Sequence, residues 1–398
     1  MERSIEISII KRIFENMKNR KLSDGSESSN QLPITIYTCP DYFKKEKEIL
    51  FKEFPLMVGF SSQLPNAGDY ITHNLTQTPI IVIRDKDEKL KAYVNTCRHR
   101  GARLLDAASG NCKGNLCCPY HGWCYSPKDG NLRGVPHASS FPNLDKNNYG
   151  LVSLAVEEKF GMIFVLPQQG KDFDLESYLA EIYQDLKNFG YENHVLYKCK
   201  NITKKANWKL HVEANSEGYH FAALHKNTSN SSYLNYGGLV DYFDPHSRLI
   251  APQNSILNLL KREESEWQLE GNAGLVYFIF PNTLYFSAAG FAQVVSVYPE
   301  DESNCTFISG MLVPDQPFTP ENTKLWDLHY ENYWDAMNED MDIAESATSS
   351  IRSGVNTHHL FGKYEEICYK FEKKIQQVIN REDTLENIMI SNQTKVIL

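Results

Sequence analysis

Three things are missing from this sequence: a long apolar run, a block of like charge and a regular cysteine framework. No uninterrupted apolar stretch approaches the roughly eighteen residues of a transmembrane helix, so no membrane span is expected. The first residues, Met1 to Glu6, mix acid and base without a following apolar segment, which is not the pattern of a secretory signal. The formal net charge of −9 is spread along the chain, which argues against a nucleic-acid partner.

The nine cysteines are odd in number and follow no disulfide-like spacing. Free or metal-binding cysteines are typical of a reducing compartment, so we expect a cytoplasmic protein. The length of 398 residues suggests two or three domains. Because 41% of the residues are hydrophobic, each domain can bury a large core.

Two short motifs supply ligand pairs for a metal cluster. Cys97-Arg-His99 and Cys118-Pro-Tyr-His121 each combine one thiolate with one imidazole in a tight loop. In a Rieske-type [2Fe–2S] cluster, two cysteines hold one iron and two histidines hold the other. The alternative is a zinc site with the same four ligands, although the Cys-x-His half is unusual for zinc fingers.

The residues around the second pair refine this interpretation. Gly122 permits a turn with positive φ, and Trp123 is placed to shield the cluster from water. Cys117 is an alternative ligand to Cys118, but Cys118 keeps the two-residue spacing to the histidine. The remaining cysteines of this region are interpreted as bystanders: Cys112, Cys117 and Cys124.

A second metal pattern lies about a hundred residues later. Glu217-x-x-His220-x4-His225 supplies two imidazoles, and a downstream acidic segment offers Asp340 and Asp342. Non-haem Fe(II) oxygenases use two histidines and one carboxylate on one face and leave positions open. Five residues correspond to about 140° around a straight helix, so the histidines converge only if the helix ends or widens between them.

Together, the cluster motifs and the Asn207-Trp208-Lys209 segment leading to His220 and His225 resemble the Rieske non-haem iron oxygenases. The resemblance implies Asp340 as the iron carboxylate, with Asp342 as the fallback. It also implies that Glu217 bridges to a cluster histidine of a neighbouring subunit and conducts the electron. Glu at this position is less common than Asp and recurs in some quaternary-amine oxygenases.

The resemblance covers most of residues 45 to 380 and implies an α+β fold. A small β domain would hold the Rieske [2Fe–2S] cluster, and a helix-grip domain, a curved antiparallel sheet wrapped by helices, would hold mononuclear Fe(II). The boundaries that we predict are an N-terminal helical segment and linker over 1–45, the Rieske domain over 46–168, the catalytic domain over 169–385, and a tail over 386–398.

Sequence periodicity places the main elements. Residues 234–260, with poor periodicity and several turn residues, are predicted to form a mobile cover over the site. Helices are predicted over 5–18, 36–54, 175–189, 319–352 and 360–380, and strands over 68–71, 79–84, 90–95, 161–166, 274–280, 284–287, 293–298 and 305–311.

The resemblance implies a terminal oxygenase that uses O2 and electrons from a flavin-dependent reductase, with or without a ferredoxin between them. It also implies a homotrimer, alone or as the core of three alpha subunits in a larger oligomer. The substrate is expected to be small, organic and aromatic. One alternative is a quaternary ammonium monooxygenase of the carnitine, choline or betaine type. An alternative of another class is a Rieske electron carrier with a vestigial iron site.

Several side chains are candidates for the substrate channel. Arg248 is a candidate anchor for an acidic substrate. An apolar channel would draw on the aromatic side chains of the second half, which more often fill cores than face substrates; they are Phe221, Tyr242, Phe243, Phe278, Phe280, Phe286 and Phe291.

Overall fold

The chain folds into two compact units. The computed structural model describes all residues except 26–27, 229–230, 289 and 398. The smaller unit comprises Lys47–Leu175, and the larger unit comprises Met1–Glu46 with Glu176–Leu398. The N-terminal segment predicted over 1–45 is therefore part of the larger unit.

Helices dominate the two ends of the chain. Among the described residues, none of the helices is both long enough and apolar enough to cross a bilayer. They are α1 (Arg3–Lys18), α2 (Thr35–Thr38), α3 (Pro40–Glu53), α4 (Leu175–Leu179), α5 (Glu181–Asn188), α6 (Trp208–Ala214), α7 (Phe221–Leu224), α8 (Pro320–Ile351), α9 (Glu366–Ile379) and α10 (Leu385–Ile397).

All of the strand pairs are antiparallel. The strands are β1 (Asn30–Pro33), β2 (Leu56–Phe60), β3 (Asp69–His73), β4 (Ile80–Arg84), β5 (Leu90–Val94), β6 (Ser109–Asn111), β7 (Leu116–Cys117), β8 (Cys124–Tyr125), β9 (Leu132–Gly134), β10 (Ser153–Lys159), β11 (Met162–Leu166), β12 (His194–Lys204), β13 (Leu239–Phe243), β14 (His246–Pro252), β15 (Ala273–Ile279), β16 (Thr283–Ala288), β17 (Phe291–Asp301), β18 (Asn304–Pro314) and β19 (His358–Phe361).

The smaller unit is built on a seven-stranded sheet in the order β2-β11-β10-β5-β4-β3-β6, beside a three-stranded sheet β7-β8-β9. β4 reads Ile-Ile-Val-Ile-Arg, a run of β-branched residues that favours a strand with both faces buried. One apolar cluster joins this strand to the two motif loops, because Ile81 and Ile83 belong to the same core as Cys97, Cys118 and Trp123.

The larger unit is built on a seven-stranded sheet in the order β12-β18-β17-β16-β15-β14-β13. Side chains alternate between its two faces along each strand. Helix α8 packs on one face, where Trp326 joins a core cluster with Met311 and Val313. Phe286 on the same face contacts Tyr333 of α8 at 5.4 Å between ring centroids. This is the helix-grip arrangement expected from the resemblance.

Two predicted helices are interrupted. The helix predicted over 36–54 divides into α2 and α3, because Pro40 lacks a backbone N–H and takes the first position of a new helix. The helix predicted over 175–189 breaks at Ala180, whose φ of 48° is incompatible with a continuous helix.

The helix predicted to begin at residue 360 was placed too early. Residues His358–Phe361 form a strand that pairs with Asn30–Pro33, and α9 begins only at Glu366. The pairing joins segments more than three hundred residues apart, so local periodicity gave no indication of it. The predicted tail over 386–398 contains α10, in which Ile388 is buried and Asn392 donates to the Ser177 carbonyl oxygen at 3.1 Å.

The prediction of a mobile cover over 234–260 was wrong. Much of this segment forms the hairpin of β13 and β14 at the edge of the large sheet. Its buried polar side chains hid the strand pattern, because Arg248 and Asp241 face each other across the hairpin and pair as ions instead of presenting an apolar stripe.

Candidate metal centres

His220 and His225 lie at opposite ends of a single helical turn. Helix α7 spans only Phe221–Leu224, so His220 precedes it and His225 follows it. The condition set by the sequence, that the helix must end for the side chains to converge, is met. The two Nε2 atoms lie 3.2 Å apart. Asp340 of α8 completes the group, with its Oδ1 at 3.2 Å from His225 Nε2 and 3.6 Å from His220 Nε2.

This spacing fits a single metal ion. Ligand atoms about 2.1 Å from a metal and at right angles to one another are separated by about 3.0 Å. The ligand atoms of His220, His225 and Asp340 all lie within 4.8 Å of one another and form one triangle. Such a face of two imidazoles and one carboxylate suits non-haem Fe(II).

Asp340 and Asp342 differ sharply in their surroundings. Asp340 is buried beside the two imidazoles. The Asp342 side chain is 73% exposed and pairs with Lys204 at 3.3 Å on the outside of α8. Two residues along a helix are separated by about 200°, so only one of these carboxylates can face the histidines. This placement supports Asp340 as the ligand.

Each imidazole of the group is held by a further carboxylate. Glu217 Oε1 lies 2.5 Å from His220 Nδ1, and Glu339 Oε2 lies 2.8 Å from His225 Nδ1. Thr228 donates its hydroxyl to the same Glu339 oxygen at 2.7 Å. Carboxylates in this position fix the ring orientation and raise the basicity of the metal-binding nitrogen. Sequence reasoning gave Glu339 no role, and its only signal was its position next to Asp340.

The electrostatics of the group also favour a cation. Burial lowers the pKa of His225, but hydrogen bonds to and charges of Asp340 and Glu339 outweigh burial and raise that pKa above its usual value. The carboxylates therefore attract positive charge to this point. A divalent metal supplies that charge directly, so these residues fit an iron ion.

Glu339→Gln is expected to weaken iron binding without unfolding the protein. The amide keeps the shape of the side chain but loses the charge that orients His225, and loss of such a carboxylate typically costs about 10–100-fold in metal affinity. The dissociation constant of Fe(II) should be measured by competition with a chelator. Glu331→Gln, at an exposed position of the same helix, is the control and should leave the affinity unchanged. Equal affinities for the two variants would contradict the role of Glu339.

The segment that carries the histidines begins at a buried ion pair. Helix α6 starts at the N-cap Asn207, whose side chain accepts a hydrogen bond from the backbone N–H of Lys209. The Lys209 ammonium is fully buried and lies 2.6 Å from Glu46 Oε1 of α3, while Trp208 Nε1 donates to Glu46 Oε2 at 3.0 Å. The contacts of Lys209 and Trp208 with Glu46 therefore hold α6 against α3.

Lys209→Met is expected to destabilise the larger unit strongly. Breaking a buried ion pair leaves a charge without compensation and costs about 3–5 kcal/mol, measured as the free energy of unfolding in urea. Lys198→Met is the control, because Lys198 pairs with Asp327 at a half-exposed position and such pairs contribute about 0–1 kcal/mol. Adding Glu46→Gln to Lys209→Met should restore part of the loss. A cost near that of the control would show that the pair does not hold α6.

The two cluster motifs, Cys97-Arg-His99 and Cys118-Pro-Tyr-His121, form two similar loops in the smaller unit. The N–H of Gly101 donates to the Cys97 carbonyl, and that of Gly122 donates to the Cys118 carbonyl, at 2.9 and 3.0 Å. Both glycines have positive φ, 79° and 69°, so the prediction for Gly122 is confirmed. Each loop is thereby closed by a backbone hydrogen bond that spans its histidine.

The four predicted cluster ligands share one surrounding. The rings of His99 and His121 lie 4.7 Å apart, and Cys97 and Cys118 are buried in one core. Burial raises the pKa of the Cys118 thiol, whereas the backbone N–H groups of Tyr120 and His121 donate to its sulfur and oppose that rise. Two buried sulfurs beside two imidazoles, with amides directed at one sulfur, fit a [2Fe–2S] cluster of the Rieske kind.

Two aromatic residues enclose this group. Trp123 stacks on His99 with a centroid distance of 4.8 Å and an interplanar angle of 7°, in agreement with its predicted shielding role. The Tyr125 hydroxyl lies 3.3 Å from Cys97 Sγ and accepts a hydrogen bond from the Arg98 backbone N–H at 3.0 Å. Sequence reasoning did not identify Tyr125.

Cys117 and Cys124 form a disulfide with an S–S distance of 2.01 Å. They lie directly opposite each other on β7 and β8, which flank the second loop. They are therefore not cluster ligands, as predicted, but they crosslink the hairpin, a role that the sequence did not indicate. The disulfide also removes Cys117 as an alternative to Cys118, since a sulfur in a disulfide is not available as a thiolate ligand.

The candidate substrate anchor Arg248 is not available for a substrate. Its guanidinium pairs with Asp185 and Asp241, and its strand neighbour is Tyr277. Phe286 follows directly after the strand partner of Tyr277. Its side chain therefore occupies the face opposite to that of Arg248, and α8 packs on this opposite face. The candidate aromatics thus divide. Phe221 lies near the histidine group, because its ring contacts that of His225 at 5.4 Å between centroids, and Phe286 packs on Tyr333 of α8. Others pack elsewhere: Tyr242 beside Lys370, Phe243 beside Arg248, Phe278 on Phe371, and Phe291 on His329.

Two family models match the chain. A model described as the ring hydroxylating alpha subunit (catalytic domain) matches residues 183–381, and a model described as the Rieske [2Fe-2S] domain matches residues 54–148. The Rieske match, together with the loop geometry, decides between the [2Fe–2S] cluster and the zinc alternative. Both expected cofactors, the cluster and a mononuclear iron, follow from the two domains.

Curated relatives fall into two substrate groups. The chain is 32% identical over 245 residues to the glycine betaine monooxygenase oxygenase subunit of Chromohalobacter salexigens, with coverage of 61% of this chain and 52% of the relative. It is 32% identical over 202 residues to the carnitine monooxygenase oxygenase subunit of Escherichia coli, with 50% and 53% coverage. It is 36% identical over 156 residues to the biphenyl 2,3-dioxygenase alpha subunit of Rhodococcus jostii, with 39% and 33% coverage. The chain thus spans about half or less of these relatives.

Solved structures share the fold over most of the chain. A quaternary ammonium Rieske monooxygenase in complex with L-carnitine superposes with a TM-score of 0.74 at 23% identity, covering 87% of this chain and 95% of that chain. Naphthalene 1,2-dioxygenase from Rhodococcus superposes with a TM-score of 0.70 at 21% identity, covering 88% and 94%. The chain therefore belongs to the Rieske non-haem iron oxygenases, as a terminal oxygenase alpha subunit with a Rieske [2Fe–2S] domain before a ring-hydroxylating catalytic domain.

Proposed function

We propose that this chain oxidises a small organic substrate with O2, by hydroxylation or oxidative demethylation, using electrons from a partner reductase. The observation that carries the proposal is the triangle of His220, His225 and Asp340, in which the second nitrogen of each imidazole is held by a carboxylate. A vestigial site would not need to keep both the triangle and its two orienting carboxylates. This favours the oxygenase over the electron carrier with an inactive iron site.

The chemistry divides between the cofactors and the chain. When bound, the iron supplies the site where O2 is activated and the cluster supplies single electrons. His220, His225 and Asp340 would hold the metal through two nitrogen atoms and one oxygen atom. Glu217 and Glu339 hold the two rings in a single tautomer, so that each Nε2 presents a lone pair to the metal. Burial of Asp340 and His225 excludes water from the inner side.

The chain acts as a homotrimer in which Glu217 couples His220 to a cluster histidine of a neighbouring subunit. A cavity of about 210 Å³ beside Glu217 and His220 supports this assembly, and Ile343 on its rim is 54% exposed. On the smaller unit, Tyr120 next to the ligand His121 is 57% exposed and could enter such a cavity on another copy. Head-to-tail contacts of this kind close into rings.

The remaining assignments concern the surroundings of the enzyme. The electron donor is a flavin-dependent reductase, with or without a ferredoxin between the two proteins. The proposed location is the cytoplasm, because the cluster requires reduced thiolates and seven of the nine cysteines are free; the Cys117–Cys124 disulfide is the exception. The Rieske part is proposed to end at residue 168, seven residues before the end of the compact unit Lys47–Leu175.

Two substrate groups fit this chemistry. The similarity to biphenyl dioxygenase is consistent with an aromatic substrate, and the similarity to the betaine and carnitine enzymes is consistent with a quaternary ammonium compound. Glu217, instead of Asp, at the bridging position weakly favours the second group. Both groups need the same two metal centres, so the proposed oxygenase chemistry does not depend on this choice.

Substrate-dependent O2 uptake tests the proposed function. The protein, reconstituted with cluster and iron and supplied with a reductase, should consume O2 faster when a substrate from either group is added, and the product should contain oxygen from O2. The His220→Ala protein is the control, because it should keep the cluster and take electrons but show no substrate-dependent uptake. Electron acceptance without such uptake for any compound of both groups would favour the electron-carrier alternative.

A further inference from the structure

A buried polar group lies on the sheet face that α8 covers. Gln293 and Ser309 are 1% and 0% exposed, and Gln293 Nε2 donates to Ser309 Oγ at 2.7 Å. Gln293 lies between Phe286 and Met311 in the sheet register, so it shares their face, and Ser309 lies two residues from Met311 on the same face. Neither residue belongs to the metal group described above.

His211 of α6 and Tyr333 of α8 connect this face of the sheet to the proposed iron ligands. Phe307, two residues before Ser309, packs against His211 of α6 at 4.5 Å between ring centroids, and α6 contacts α8, the helix that carries Asp340. Tyr333 of α8 lies two helical turns before Asp340 and so shares its helix face. The Tyr333 ring contacts Phe286, the strand neighbour of Gln293. The polar group therefore lies under the same face of α8 that carries Asp340.

Two polar atoms of this group have no hydrogen-bond partner within the described part of the chain. These atoms, Gln293 Oε1 and the Tyr333 hydroxyl oxygen, are both buried. The Tyr333 hydroxyl and Ser309 are close, and Ser309 Oγ already accepts the hydrogen bond from Gln293 Nε2. Buried polar atoms are costly to leave unpaired, and nearly all of them in native proteins have a partner. An acceptor and a hydroxyl without partners beside a reaction site are the groups that orient a substrate.

We propose that Gln293 and Tyr333 bind a hydroxyl or N–H group of the substrate and so determine which compounds are oxidised. The inference rests on the proposed function and adds a substrate class to it. Gln293 Oε1 is an acceptor and requires a donor, and Tyr333 can donate to the same substrate oxygen or nitrogen. Hydrocarbons such as benzene offer no such group. Within the aromatic group, an amino- or hydroxy-substituted ring is favoured. Within the quaternary ammonium group, a hydroxylated compound is favoured.

Matched pairs of compounds test this recognition. L-carnitine and γ-butyrobetaine differ by one hydroxyl, and anthranilate and benzoate differ by one amino group. Dissociation constants are measured calorimetrically without O2 on protein that contains cluster and iron. For at least one pair, the donor-bearing member should bind at least about tenfold more tightly, the value of one net hydrogen bond. Equal affinities in both pairs, or no binding of either donor-bearing member at millimolar concentration, would overturn the proposal.

Three variants identify the residues responsible. Gln293→Met removes the oxygen at similar length, and Tyr333→Phe removes only a hydroxyl that has no partner in the described chain. Both should lower the preference for the donor-bearing member about tenfold, whereas Gln293→Glu keeps the acceptor and should retain that preference. Tyr333→Phe should fold normally, so the test stands even if Gln293→Met does not fold. A preference that survives both changes would indicate that water satisfies these atoms.

The binding readout separates this inference from the proposed function. If the variants lose the preference in binding but no compound stimulates O2 uptake, the recognition site stands and the oxygenase proposal fails. If a compound stimulates O2 uptake but the variants keep its binding preference, the oxygenase proposal stands and the assignment of Gln293 and Tyr333 fails.

Discussion

Asp340→Ala is expected to abolish binding of the mononuclear iron and to reduce substrate-dependent O2 uptake by at least about a hundredfold. Asp340 supplies the only carboxylate in the triangle with His220 and His225. Without it, two neutral imidazoles must hold a divalent ion, and the negative charge that attracts the ion is lost. Iron should fall from about three per chain to about two. The visible absorption spectrum and the electron paramagnetic resonance spectrum of the reduced cluster should be unchanged.

Asp342→Ala is the matched control for this prediction. The two carboxylates lie two residues apart on the same helix, and Asp342 faces outward toward Lys204. A surface pair contributes little to stability, so this variant should keep its iron and most of its activity. If Asp342→Ala lost the iron and Asp340→Ala kept it, the carboxylate assignment would be wrong while the fold and the histidine positions would stand.

The second large effect is the recovery of activity in mixed oligomers. A Cys118→Ala chain lacks the cluster, a His220→Ala chain lacks the mononuclear iron, and each alone should be inactive. In a mixed head-to-tail ring of three, one junction places an intact cluster next to intact iron, so activity should recover to about a third of the wild-type value. The two chains carry different affinity tags, and only rings that bind to both are assayed.

The Glu217→Gln variant tests whether Glu217 carries the electron transfer between subunits. Glu217 bonds His220 Nδ1, and its other contacts are backbone N–H groups of Tyr219 and His220. The amide should leave both metals in place but slow reoxidation of the cluster when substrate and O2 are added. Mixed rings without recovered activity, in which the metal content of each chain is verified, would mean that electrons stay within one chain and that Glu217 does not bridge subunits.

The sequence predicted the metal centres better than it predicted the supporting structure. The ligand spacings of Cys97-x-His99 and Cys118-x2-His121 are local, because each loop folds on its own backbone hydrogen bonds. The same is true of His220 and His225, which one helical turn separates. Asp340 could be chosen only through the family resemblance, since nothing within a few residues distinguishes it from Asp342.

Features that depend on distant segments were not predictable. Glu339 orients His225 across 114 residues of chain, and the strand pair of Asn30–Pro33 with His358–Phe361 joins the two ends of the larger unit. Lys209 and Glu46 are buried charges that hydrophobic periodicity assigns to the surface. Each of these contacts becomes visible only when the tertiary fold brings its partners together.

The central claim is that one chain carries both a Rieske cluster and a mononuclear iron. It is tested most directly by the metal and sulfide content of protein purified without O2, together with the spectrum of its reduced form. We expect a brown protein with about three irons and about two acid-labile sulfides per chain, and a reduced spectrum typical of a [2Fe–2S] cluster with histidine ligands. A colourless protein with stoichiometric zinc and no labile sulfide would contradict the claim.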